Sequence, residues 1–177
     1  VKVITNHHDP SHAFKECSGL DITVCFSWVP RSICGSFMAF FAYLRMILAA
    51  IYLCFFVPSD VILVDQISAC LPILRLFTSS RVIFYCHFPD LLLTERTTTA
   101  KKAYRAVIDW LEESTIGWAH VICVNSNFTA SVVRLTFPRL AQRELTVLYP
   151  SLNTEFFDKC KYRVGDNYCD TRSAQRK

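Results

Sequence analysis

His87 follows the apolar run Val82-Ile83-Phe84-Tyr85-Cys86 and precedes Phe88-Pro89-Asp90. An imidazole at the end of such a run, with a proline stiffening the turn, can hydrogen-bond a ligand hydroxyl such as a sugar's, or stabilise developing charge. It can equally be a plain strand-end cap, and the pattern alone leaves both readings open. Other apolar runs also end in polar residues. They give Asn6-His7-His8-Asp9, Asp65-Gln66, Asn125-Ser126 and Tyr149-Pro150-Ser151. If the runs are parallel strands, these endings share one edge of the sheet, where α/β folds bind ligands. The edge reads as a binding cleft and does not name its ligand.

Four other groups of residues invite a chemical reading. His7, His8 and His12 lie close together with Asp9, but their spacing matches no helical histidine pair, so no metal is expected. Arg96, Lys101, Lys102 and Arg105 form a basic stretch after the His87 turn; it is either a contact for a diphosphate or an anionic membrane surface, or a solvated helix face. Glu112 and Glu113 are adjacent on a helix and point about 100° apart, so both are expected at the surface, paired with Lys or Arg one turn away. Asn127-Phe128-Thr129 spells a glycosylation sequon, but its expected role is to start a helix.

The elements that position these residues alternate. Strands are expected at Val1–Thr5, Val61–Val64, Arg81–Cys86, His120–Val124 and Leu145–Leu148. Helices are expected at Ser68–Phe77, at Ala100–Ile116 with Gly117 at its stop, and at Phe128–Phe137 with Pro138 beyond. The Ser68–Phe77 helix carries Pro72 as a possible early break. The Ala100–Ile116 stripe reads Tyr104, Val107, Ile108, Leu111 and Thr115. Continuous apolar strands alternating with helices predict an α/β fold, a parallel sheet with helices on both faces. Residues 33–57 form the longest apolar run, long enough to cross a bilayer. Arg45 near its middle opposes burial in lipid unless it snorkels or the helix lies in the membrane plane. The alternative is a core helix covering the sheet.

Composition narrows the classes further. The chain has 177 residues, 52% hydrophobic and 19% charged, which excludes a disordered protein. With four glycines and neither GxGxxG nor GxxxxGK[ST], it lacks the dinucleotide and Walker fingerprints, and no cofactor is expected. Residues 158–177 hold six of the 19 Lys/Arg and three of the 15 Asp/Glu, leaving 13 basic against 12 acidic residues in 1–157. A near-neutral body with a basic tail does not suit nucleic acid. Nine cysteines occur without a CxxC pair; Cys25, Cys54, Cys70, Cys86 and Cys123 sit in apolar runs. They read as small hydrophobes in a reducing compartment, with no disulfide framework. The sequence opens inside a strand without an initiator Met, so the natural start is expected upstream.

Several longer strings carry a resemblance. YCHFPDLLLTER (85–96), YRAVIDWLEE (104–113), VNSNFTASV (124–132), VLYPSLNTEFFD (147–158), VDQISACLPILR (64–75) and the spacing from Thr5 to Phe14 resemble the dolichol-pathway α-1,3/α-1,6-mannosyltransferases. These are retaining, GDP-mannose-using glycosyltransferases of the GT-B type, at the cytosolic face of the endoplasmic reticulum. The resemblance implies that residues 1–157 form the Rossmann-like, acceptor-side N-terminal half of a GT-B fold. This half receives mannosylated chitobiosyl-diphosphodolichol, to which the second and third mannoses are added. A second domain would hold GDP-mannose. By resemblance His87 matches a histidine that faces the transferred sugar, Pro89 and Asp90 shape the same loop, and Asn125 and Ser126 match a strand-end turn facing the cleft. Asp65, at its own strand end, completes the expected substrate-binding set. The 33–57 run falls where the family touches the membrane.

The sequence departs from the family in two places. A Gly-rich loop near the first strand and the donor-binding domain are missing, and residues from Lys159 onward no longer look like the family. Catalysis that depends on both halves surrounding the sugar predicts little or no transferase activity for this chain alone. The alternative is a non-catalytic membrane-associated product that binds acceptor lipid or a partner. An unrelated α/β oxidoreductase is disfavoured by the absent Gly fingerprint.

Overall fold

The structure, a computed structural model, describes residues 1–13, 17, 19–33, 37–94 and 98–151. Arg96, Phe14, residues 34–36 of the apolar run and the 158–177 tail lie outside the described residues. The order is β1 (Lys2–Thr5), β2 (Asp21–Val24), α1 (Met38–Phe56), β3 (Val61–Asp65), α2 (Leu71–Phe77), β4 (Arg81–Cys86), α3 (Asp90–Leu93), α4 (Thr99–Ile116), β5 (Val121–Val124), α5 (Asn127–Thr136) and β6 (Leu145–Val147). The α/β class and its parallel strands flanked by helices are as the sequence predicts. The strands, however, divide into two sheets, β1-β2 and β3-β4-β5-β6. β2 is an element that sequence reasoning missed. Only Ile22 and Val24 in it are apolar, too short an alternation to register. It forms because it pairs in parallel with β1, from Lys2 opposite Asp21 to Thr5 opposite Val24.

The four-stranded sheet is built on β4. Val64 pairs with Phe84, Phe84 with Ile122, and Ile122 with Leu145. Side chains alternate across a strand. Ile62, Val64, Val82, Phe84, Cys86, Ile122 and Val124 therefore share one face. That face packs into a single cluster with Ala50 of α1, Leu71 and Leu74 of α2, Ile116 of α4, and Ala130 and Val133 of α5. Cys70, Cys86 and Cys123 are buried within this architecture as small hydrophobes. On the opposite face Val61 and Leu63 stay exposed, Leu63 at 63%.

Local chemistry sets the helix ends. Thr98 caps α4 by accepting from Lys101 N, and Ser126 caps α5 by accepting from Thr129 N. Pro72 does not break the helix that carries it. A short 3-10 turn, Ser68–Cys70, leads into α2, and Pro72 falls in the first turn, where no amide hydrogen bond is lost. α1 is apolar all round. It buries Phe41, Tyr43, Ala49 and Ala50 and leaves Phe40, Ile51, Phe55 and Phe56 exposed.

Candidate functional site

The register brings three expected strand endings together. Asp65 ends β3 opposite Tyr85, and Cys86 ends β4 opposite Val124, so Asp65-Gln66, His87 and Asn125 emerge side by side. His87 Nε2 lies 2.8 Å from Asp65 Oδ1. Its ring meets Tyr85 edge-on, with centroids 4.8 Å apart. The backbone beneath it is tied on both sides. Gln66 Oε1 accepts from His87 N at 3.0 Å, and Gln66 Nε2 donates to Phe88 O at 2.8 Å. Asn125 Nδ2 donates to His87 O at 3.0 Å. Tyr85 Oη donates to Leu148 O, and Asn127 Nδ2 to Tyr149 Oη, so the endings of β4, β5 and β6 form one polar rim.

This geometry orients His87 without burying it. Its side chain is 55% exposed and that of Asp65 68%. With Nε2–H donated to the carboxylate, Nδ1 is left to accept a hydrogen bond, or to donate one once protonated. The site can therefore present a fixed imidazole and a carboxylate to a hydroxyl-bearing ligand.

The remaining expected residues fall into supporting positions. Asn125 holds the His87 carbonyl. Ser126 caps α5 and donates to Asn125 Oδ1. Pro89 is buried at the start of α3. Asp90 turns away from His87, and its Oδ2 accepts from Arg105 Nη2 at 2.9 Å. Arg105 also donates to Asp109 Oδ1 at 3.1 Å and is 3% exposed. It is thus a buried structural cation and not part of a solvated basic face. Burial works against its charge, but the hydrogen bond to Asp90 and the charges of Asp90 and Asp109 outweigh that and raise its pKa.

Glu112 corrects another expectation. It is 3% exposed, not a surface residue. Its carboxylate accepts from Asp90 N at 2.8 Å and Leu91 N at 3.1 Å, pinning the turn after His87 from below. Burial pushes its pKa up to about 7, against the two backbone bonds that favour the charged form. The helical period carried this signal, because Ile108, Glu112 and Ile116 lie on one stripe and all three are buried. Val107, expected on that stripe, is exposed. Glu113 is half-buried and accepts from the backbone amide of Arg139, 26 residues away, instead of pairing with a Lys or Arg one turn along the helix. Gln66 is the other missed residue. Its φ of 61° is left-handed, an uncommon strain for a non-glycine, and it aims the side chain at two backbone groups of the His87 turn.

The histidine-rich segment builds a local turn. Asp9 caps the Pro10–His12 turn by accepting from Ser11 N and lies 2.8 Å from His12 Nδ1. The Ser11 hydrogen bonds, then His12, hold the Asp9 pKa down at about 2. Among the described residues no group of three His, Cys, Asp or Glu side chains converges as metal ligands.

Comparison with known proteins gives the family. The description of Glycosyltransferase Family 4 matches residues 1–156. The α-1,3/1,6-mannosyltransferase ALG2 of Mus musculus is 48% identical over 163 residues, covering 89% of this chain and 39% of the mouse protein. That of Dictyostelium discoideum is 48% identical over 165 residues, covering 91% and 39%. The Homo sapiens protein is 47% identical over 163 residues, covering 89% and 39%. The chain thus spans about two fifths of the length of these relatives. No solved structure matches it. The matched stretch contains every residue of the strand-end rim, and the chain belongs to glycosyltransferase family 4.

Proposed function

We propose that this chain is the acceptor-side half of a retaining mannosyltransferase that moves mannose from GDP-mannose to mannosylated chitobiosyl-diphosphodolichol, first α-1,3 and then α-1,6. The observation that carries the reading is the exposed His87 imidazole, fixed by Asp65, Gln66 and Asn125 in a chain whose relatives are named α-1,3/1,6-mannosyltransferases. His87 is the catalytic residue, its free ring nitrogen set toward a hydroxyl of the transferred sugar. Asp65 orients that ring and borders the sugar. Pro89, Asp90, Asn125 and Ser126 hold the substrate-facing loops in place. Turnover belongs to the full-length enzyme, since differential binding of the transition state needs groups on both sides of the sugar.

The reading places the protein on the cytosolic face of the endoplasmic reticulum membrane. α1 supports the membrane part. It is the one described helix long and apolar enough to cross a bilayer, yet one side of it packs on the domain, which suits a helix lying in the membrane plane. A second reading is a membrane-associated form that binds acceptor lipid without turnover; the apolar helix α1 with its exposed Phe55 and Phe56 supports the membrane contact.

The test is binding of mannosylated chitobiosyl-diphosphodolichol to the chain in lipid nanodiscs, with GDP-mannose as the contrast. Saturable acceptor binding without donor binding is the expected result. Absence of acceptor binding by folded protein overturns the acceptor-side reading.

A further inference from the structure

A cavity of about 580 Å³ opens at the edge of the sheet opposite the His87 rim. The strands run parallel, so their starts share that edge. Arg75 reaches it from the last turn of α2, Trp118 and His120 from the approach to β5, and Arg143 from the approach to β6. No acidic side chain is among the lining residues. Arg75 and Arg143 form no ion pair among the described residues. A helix C-terminus attracts cations, and Arg143 meets that demand beyond the end of α4. Its Nη2 donates to Gly117 O at 3.4 Å and to Ala119 O at 3.0 Å. Arg75 has no such carbonyl to serve.

His120 shows what Arg75 lacks. Val82 N donates to His120 Nδ1 at 2.9 Å, so the neutral ring carries its hydrogen on Nε2. Nε2 lies 2.6 Å from Arg75 Nη1, a nitrogen with hydrogens and no lone pair to offer. The other tautomer only moves the conflict, setting Nδ1–H against the Val82 amide. Protonating the ring deepens it, and burial followed by the charges of Arg75 and Arg81 holds the His120 pKa below its ordinary value. Two donors this close are relieved by one acceptor placed against both. Arg75 is exposed and makes no other hydrogen bond among the described residues, so its guanidinium is free to meet that acceptor.

Charge and shape say which acceptor fits. Arg75, His120 Nε2–H and Arg143 approach from three segments, whereas one guanidinium already satisfies both oxygens of a planar carboxylate. Three converging donors, two of them permanently charged, suit the spread oxygens of a phosphate dianion. The cavity also falls in the range of organic-ligand sites, about 300–1,000 Å³, and Trp118 is exposed on its wall. We propose that this cavity binds a phosphate monoester, with Arg75, His120 and Arg143 holding the phosphate and Trp118 beside its organic substituent. The site lies at the far edge of the sheet from His87 and is independent of the reaction proposed there.

The experiment titrates the full chain with glycerol 3-phosphate and, separately, with phosphatidylcholine vesicles carrying phosphatidic acid, which bears the same phosphate monoester on a lipid. Nitrogen NMR follows the His120 ring in the soluble titration. The expected result is saturable binding that shifts the Nε2 resonance. Arg75→Gln should weaken binding roughly tenfold or more, the loss of one charge-assisted hydrogen bond. Arg75 is exposed and bonds only His120, so this variant keeps its fold. Arg134→Gln replaces an exposed arginine of α5 outside the cavity and should leave binding unchanged. Glycerate, the carboxylate control, should bind roughly tenfold or more weakly than the phosphate. Arg75-dependent binding of glycerol 3-phosphate identifies a soluble ester as the ligand. Arg75-dependent binding confined to phosphatidic acid vesicles, and exceeding that to phosphatidylglycerol vesicles of matched charge, identifies a lipid headgroup. Either result supports the site. Binding of neither probe, equal losses in the two variants, or equal affinity for glycerate overturns it.

Discussion

Two carboxylate-bound side chains in this domain sit in opposite surroundings. His87 and Asp65 meet at 2.8 Å on an open rim, and both are more than half exposed. Arg105 meets Asp90 and Asp109 at similar distances, but the guanidinium is buried. An exposed pair is screened by water and contributes about 0–1 kcal/mol to stability. A buried pair holds charges that become costly once a partner is removed. The rim pair therefore fixes the direction of a side chain, and the buried network fixes the turn from which that side chain emerges. Stability and chemistry are carried by different charges only a few residues apart.

Breaking the buried network is the most severe test of this contrast. Arg105→Ala removes the guanidinium that bonds both Asp90 and Asp109, next to the buried carboxyl of Glu112. Removing one partner of a buried pair typically costs about 3–5 kcal/mol. Urea unfolding should show a loss of that order. A loss under about 1 kcal/mol would mean that the buried and exposed pairs do not differ as argued.

A finer test uses the pH dependence of Glu112. Its folded pKa is raised from 4.5 to about 7, so the folded chain holds this proton more tightly than the unfolded chain. The stabilisation from that proton is complete below the unfolded value and is lost as pH rises through about 7. Each pH unit inside the window removes at most about 1.4 kcal/mol. Glu112→Gln keeps the shape and removes the titration. Its unfolding midpoints between pH 4.5 and about 7 should lose that slope, with the variant gaining on the parent toward the upper end. Parallel curves for variant and parent would sink the assignment.

The parts of this domain legible in the sequence are those whose period repeats. β3 to β6 and their helices follow from apolar runs and caps, and the polar strand endings follow from the sheet topology. Asp65, His87 and Asn125 are expected at one edge and do meet there. What escaped notice depends on contacts between distant segments. β2 exists through its pairing with β1, and Gln66 matters because a left-handed backbone aims it at His87 and Phe88. Arg105 is expected on the helix that carries it, whereas Asp90 is expected in the turn after β4 and instead begins α3; nothing local shows that the two face each other. Arg45 stood out as an oddity in an apolar run; only the packing of α1 beside α4 gives it a cavity to line.

The smallest effect on stability is expected at the rim, and there the contrast is sharpest. His87→Ala removes a side chain whose imidazole is largely in water and whose one close polar partner, Asp65, is itself exposed. The backbone of the turn keeps its ties, since Gln66 and Asn125 bond to main-chain atoms that alanine retains. Folding stability should change by less than about 1 kcal/mol. Turnover in the full-length enzyme should fall by about 100-fold or more, the usual contribution of a positioned acid, base or hydrogen-bonding group. Asp65→Asn, which keeps the ring's neighbour but removes its charge, should fall between the two in turnover and match the parent in stability. Measured together, these variants separate the rim's two roles. If His87→Ala lowers stability as much as turnover, the imidazole is a structural cap. If turnover is unchanged, His87 lies outside the reaction and the transferred sugar must be read from elsewhere on the rim.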